Sequence, residues 1–243
     1  MTYCAAAMLD AGIVFASDSR TNAGVDNIAT FRKMKVFEFP GNRVVVTLGS
    51  GNLAVTQATL NLVEQNIRRN DGSPNLANVS SMYDVADLVG ISLRAVRERD
   101  GPYMEQSNVD SGASFIVGGQ IAGEQQRLFL VYSEGNFIEA TPETPFFQIG
   151  ETKYGKPILD RVITRSTNLD DAIKCVLVSF DSTMKSNLSV GMPIDLLCYD
   201  RDSLRVTKVR RFDEKDDYMR GLRQQWGDGL RRAFTNLANF EWS

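Results

Sequence analysis

The chain is expected to fold as an α+β protein, a sandwich of antiparallel sheets covered by helix layers. Three observations carry this expectation. The segments run strands, two helices, strands, two helices, strands, helix; helices arriving in pairs disfavour a doubly wound parallel sheet. Neighbouring strand segments are joined by short turn sequences of the hairpin kind. The 243 residues, 43% of them apolar, can bury a large core, and no Pro/Ser-rich linker, repeat or low-complexity tract divides them. One domain over 1–243 is expected.

Residues 2–9 and 13–19 are small and β-forming. Asp10-Ala11-Gly12 between them reads as a three-residue hairpin loop with glycine in the left-handed position. Residues 33–39 alternate as a strand, and Pro40-Gly41-Asn42 turns the chain into a strand from Arg43 to Leu48. Helices follow at about 52–69 and 82–99, with Asp71-Gly72-Ser73-Pro74 in the loop between them. Strands return at 113–121, 127–133 and 137–140. Helices at 152–164 and 169–185 come next, the second capped by Asn168 with Asp170 and Asp171 at the positive end of its dipole. Strands at 193–199 and 205–211 and a helix over 215–238 complete the chain.

Composition excludes several chemistries. There is no histidine, so Ser-His-Asp and Cys-His nucleophile systems and HExxH zinc sites are absent. A net charge of −3 leaves no footprint for nucleic acid or an anionic membrane. Cys4, Cys175 and Cys198 are odd in number and far apart, which suits a reducing compartment; with no basic, apolar leader, a cytoplasmic protein is expected. Gly49-Ser50-Gly51-Asn52-Leu53-Ala54 entering a helix mimics a dinucleotide fingerprint. The parallel strand and acidic residue that should follow are missing, so a tight strand-to-helix turn is the simpler reading.

Thr2 offers another nucleophile. Aminopeptidases remove Met1 before a small residue, leaving a hydroxyl and a free α-amine on one residue. An α-amine titrates at about 7.7–8.0, so near neutrality it can accept the hydroxyl proton. With Leu9 opposite Ile13, Cys4 falls opposite Asp18 and Thr2 opposite Arg20, so Thr2, Cys4 and Asp18 share a face. Lys33 and Lys35 share a face of a later strand, and a lysine between Asp18 and the hydroxyl would favour the alkoxide. A surface ion pair is the plainer alternative. Cys4 reads as a small core residue. Asp213 to Asp217 with Arg220, Arg223, Arg231 and Arg232 reads as a solvated helix or a subunit contact. Phe146-Phe147 and Phe240 with Trp242 are core or interface.

Thr2, the run from Asp10 through Asp18-Ser-Arg20-Thr-Asn-Ala-Gly24, Arg32-Lys33, and Thr47-Leu48-Gly49-Ser50 together resemble the N-terminal third of a proteasome β-type subunit. Within that family the Thr-Tyr-Cys start without a propeptide, and Ser-Asp-Ser-Arg-Thr-Asn-Ala-Gly-Val-Asp, are similar to the bacterial branch called Anbu. The resemblance is specific over 2–51. It implies a four-layer αββα sandwich of the N-terminal nucleophile hydrolase fold, threonine-type peptidase or amidase activity, and ring- or helix-like homo-oligomers. It implies no cofactor or metal, a peptide or protein substrate, and leaves any ATPase partner unknown.

Carried over by motif, Thr2 would be nucleophile and base, Asp18 and a lysine the supporting pair, and the Gly49 N–H the oxyanion donor. Lys33 is favoured over Lys35, and Ser50 is an alternative to Gly49. Ser189 matches the family's Asp-x-x-Ser-Gly element, whose Asp position holds Ser186. Gly150-Glu151-Thr152 stands where the family has Gly-Ser-Gly. Both departures touch elements that position the threonine amine, so a weakly active scaffold subunit is the alternative to an efficient hydrolase.

Overall fold

The computed structural model describes residues 2–22, 28–69 and 71–242. Met1 and the Ala23-Gly24-Val25-Asp26 part of the motif lie outside the described residues.

The chain opens with strands β1 (Tyr3–Leu9) and β2 (Gly12–Asp18), a short pair β3 (Arg20–Asn22) and β4 (Ile28–Thr30), then β5 (Met34–Phe39) and β6 (Arg43–Gly51). Helices α1 (Leu53–Arg69) and α2 (Met82–Gln106) lead into β7 (Ala113–Ile121), β8 (Arg127–Val131), β9 (Phe137–Glu139) and β10 (Phe146–Gly150). Then come α3 (Lys156–Val162), α4 (Leu169–Ser186), β11 (Ile194–Asp200), β12 (Lys208–Phe212) and α5 (Asp217–Thr235).

Two five-stranded sheets result, ordered β10-β1-β2-β11-β12 and β5-β6-β7-β8-β9, with every pairing antiparallel. The pleat splits the central strands between two cores. In β1, Ala5, Ala7 and Leu9 face a cluster with Val176 and Phe180 of α4, while Cys4, Ala6 and Met8 join Val44, Val46 and Leu48 of the other sheet. The far face of that second sheet carries Val45, Phe115 and Phe129 against Val85, Val89 and Leu93 of α2. Both faces of the central strands are thus dry, which is why β1 and β2 contain almost no polar residue before Ser17.

Most expected elements lie within a few residues of their observed bounds. Asn168 caps α4 through the Asp171 amide at 2.9 Å. A capping box between Ser81 and Asp84 starts α2. β3, β4 and β10 had no expected counterpart. β10 is an edge strand of five residues beside β1, and its Phe147 is buried between the sheets.

The first hairpin needs correction. Leu9 pairs with Gly12, not Ile13, so the loop is Asp10-Ala11 alone and the register shifts by one. Gly12 is a strand residue whose Cβ would sit 2.0 Å from the Tyr199 carbonyl oxygen of β11. Close approach of a neighbouring strand, rather than a left-handed turn, demands glycine here. Cys4 therefore faces Ser17, and β2 ends with Asp18 beside Tyr3 instead of on the face of Thr2 and Cys4. The dinucleotide reading also falls: β6 enters α1 as expected, but its neighbours β5 and β7 are both antiparallel to it.

Candidate active site

Asp18 ends β2 fully buried, and each of its contacts is a donor. The Lys33 ammonium lies 2.7 Å from Oδ1, the Tyr3 N–H donates to the same oxygen at 3.0 Å, and the Gly191 N–H reaches Oδ2 at 3.4 Å. Burial pushes the Asp18 carboxyl above its ordinary range, and the Lys33 charge and the two amides oppose that shift. The one-residue register correction thus still delivers the carboxylate to the start of β1, through the Tyr3 amide. Lys33 is itself buried, just ahead of β5, and donates a second bond to the Arg20 carbonyl at 2.7 Å. Lys35 points elsewhere, pairing with Glu64 of α1.

Thr2 is half-buried and, with Lys33 and Gly49, lines a cavity of about 560 Å³ between the end of β6 and α1. Its carbonyl accepts the Glu151 N–H at 2.7 Å, extending the β1–β10 ladder by one residue. That seat requires Gly150, at φ +85°: a Cβ there would stand 1.9 Å from the Thr2 carbonyl oxygen.

The Gly49 N–H, expected as an oxyanion donor, is donated to the Lys33 carbonyl at 2.9 Å. Ser50 pairs with Ser114 of β7, and the Asn52 N–H goes to that same side, to the Gly112 oxygen at 2.9 Å. Amides alternate along a strand, so those of Ser50 and Asn52 turn to β7 and that of Gly51 turns to the β5 side. β5 begins only at Met34, and Gly51 lines the cavity. The amide aimed past the strand end is therefore that of Gly51, two residues beyond the expected donor.

Ser189 does not line the cavity. It sits in the turn after α4 and its N–H donates to Asn187 Oδ1 at 2.9 Å. The turn still serves the site from both ends: Asn187 Nδ2 donates to Glu151 Oε2 at 2.9 Å, and Gly191 reaches Asp18. Glu151 and Asn187 are the residues that sequence reasoning missed. Glu151 was visible as a replacement in Gly150-Glu151-Thr152, but its partner 36 residues away was not. Gly191 admits the Arg20 guanidinium, 2.2 Å from where its Cβ would stand, and Arg20 ties down the turn through the Leu188 carbonyl at 3.0 Å.

Cys4 is fully buried; desolvation raises its thiol pKa far above the usual range and the nearby Asp18 charge adds to this, so it is no nucleophile. Among the described residues no three His, Cys, Asp or Glu side chains gather to hold a metal ion, and no helix is long and apolar enough to cross a membrane.

Neither a protein-family profile nor a curated protein sequence matches the chain. Solved structures do. Anbu from Pseudomonas aeruginosa, described as a helical assembly of the Anbu complex, is 52% identical over 98% of both chains with a TM-score of 0.93. Anbu (ancestral beta-subunit) from Yersinia bercovieri is 47% identical over 99% of this chain and 100% of that one, with a TM-score of 0.92. The chain belongs to the Anbu family. A third Anbu structure, a Gly-1 mutant from Hyphomicrobium sp. strain MC1, is 49% identical over the full length of both chains at a TM-score of 0.93. The resemblance seen in residues 2–51 therefore extends to the whole chain, within the Anbu branch of the proteasome β-like family.

Proposed function

We propose that this Anbu protein is a threonine-type hydrolase of peptide or amide bonds, built on the four-layer fold of N-terminal nucleophile hydrolases. The observation that carries the reading is the buried Lys33–Asp18 pair, 2.7 Å apart, whose Lys33 lines the cavity together with Thr2. Once Met1 is removed, the Thr2 hydroxyl attacks the substrate carbonyl and its proton passes to the α-amine. Lys33 lowers the cost of the developing alkoxide, and Asp18 holds Lys33 in place at 2.7 Å. The Gly51 N–H supports the oxyanion. The ammonium of Thr2 then protonates the departing amine, and water releases the acyl group from the Thr2 ester by the same amine acting as base.

Self-association accompanies this reading, supported by the helical assembly of the Pseudomonas aeruginosa relative. The exposed Phe234, Leu237, Phe240 and Trp242 at the end of α5 and beyond it are suited to such a contact.

A weakly active scaffold subunit is the second reading. It is favoured by Glu151, a buried acidic residue in place of the family's serine, whose N–H is bonded to the Thr2 carbonyl and whose carboxylate would oppose deprotonation of the nearby amine. Intact mass of the purified protein and of a peptide epoxyketone adduct separates the two. The hydrolase reading expects loss of Met1 and one adduct per chain at Thr2, absent in Thr2→Ala. Retained Met1, or a Met1-free chain inert to the reagent, overturns it.

A further inference from the structure

We propose that Arg32 sets the substrate class of this site, selecting peptides that carry a carboxylate side chain beside the scissile carbonyl. The inference rests on the hydrolase reading and deepens it.

The charges in the cavity wall are unbalanced. Arg32 and Lys33 line it, and among the described residues no Asp or Glu does. Lys33 is neutralised at 2.7 Å by Asp18, both of them buried. Arg32 is exposed and has neither ion pair nor hydrogen bond among the described residues. Its basic neighbours in sequence are engaged: Arg20 reaches Glu214 at 3.7 Å, and Lys35 pairs with Glu64. Among the described side chains, the uncompensated charge at the cavity is therefore the guanidinium, whose fork matches a carboxylate.

A second group points the same way. Thr21 lines the cavity, and its hydroxyl is shielded from solvent with no hydrogen-bond partner. A buried hydroxyl left unpaired costs free energy that an incoming acceptor would restore. Leu53, Ala54 and Leu60 supply an apolar wall for the methylenes of an acidic side chain. A lysine or arginine side chain at this position would meet a like charge.

The test uses the full-length, Met1-free oligomer and three peptide epoxyketones that differ only in the residue next to the warhead: Glu, Leu or Lys. The rate of Thr2 labelling is followed by intact mass. The Glu reagent is expected to label roughly ten- to a hundredfold faster than Leu, with Lys slowest, as for a charge-assisted hydrogen bond formed in a partly dry site. That advantage shrinks with added salt. In Arg32→Gln the Glu/Leu rate ratio falls at least about fivefold, Arg32→Lys restores part of it, and Arg32→Glu reverses the order of Glu and Lys. A Glu/Leu ratio near one, or a ratio indifferent to Arg32, overturns the inference and leaves the hydrolase reading standing. Failure of all three reagents on a chain shown to begin at Thr2 overturns both.

Discussion

Replacing Lys33 with methionine should make the stability of this protein depend on pH in a defined way. The substitution leaves the Asp18 carboxylate fully buried with only the Tyr3 and Gly191 amides as donors. Removing one member of a buried pair costs about 3–5 kcal/mol when the other keeps its charge. Asp18 can limit the loss by taking up a proton, and that escape has a calculable cost. Protonating a carboxyl that ionises at about 3.9 in the unfolded chain costs about 4 kcal/mol at pH 7 and about 1.5 kcal/mol at pH 5.

The sign follows from the direction of the shift. Asp18 already titrates above its ordinary range, and without Lys33 it titrates higher still. The folded variant then binds a proton more tightly than the unfolded chain, so its stability falls as pH rises from about 4 and levels off above the raised pKa. Urea denaturation followed by far-UV circular dichroism, at pH 5 and pH 7 and one protomer concentration, measures this directly. Lys33→Met should lose about 1 M or more in midpoint at pH 7 relative to the parent protein, and markedly less at pH 5. An equal loss at both pH values would refute the reasoning, because it would mean that Asp18 does not answer to the Lys33 charge. Epoxyketone labelling of Thr2 in the same variant should fall by orders of magnitude while its size-exclusion elution matches that of the parent protein.

Other substitutions probe the remaining parts of the site. Gly150→Ala forces a methyl group against the Thr2 carbonyl oxygen, so Thr2 labelling should collapse and the melting temperature should fall, read by intact mass and calorimetry. Glu151→Gln removes a negative charge from the residue whose N–H holds the Thr2 carbonyl; the acidic limb of the labelling rate against pH should move down by up to about one unit. Asn187→Ala strips the Glu151 carboxylate of a donor and should move that limb up, with little change in melting temperature. Cys4→Ala, in a fully buried site whose thiol reaches the Gly49 carbonyl at 3.8 Å, should cost about 1–2 kcal/mol in denaturation while leaving Thr2 labelling intact.

The parts of this protein legible in the sequence are those set over short stretches of chain. Small, β-forming runs and alternation located the long strands, the Asn168 cap located α4, and the resemblance over residues 2–51 picked out Thr2, Asp18 and Lys33, of which Thr2 and Lys33 line the cavity and Asp18 pairs with Lys33. Tertiary structure decided the rest. The first hairpin's register turns on a carbonyl of β11 that crowds Gly12 from nearly 190 residues away. Which backbone amide stays unpaired at the end of β6 depends on where β5 starts, because pairing with the Lys33 carbonyl consumes that of Gly49. Glu151 meets Asn187, and Asp18 meets Gly191, only once β10 and the turn after α4 are brought to the head of β1. Local propensity acts through neighbours in the chain and is written there; a hydrogen bond between distant segments depends on how two sheets and their helices pack, and no local pattern encodes it.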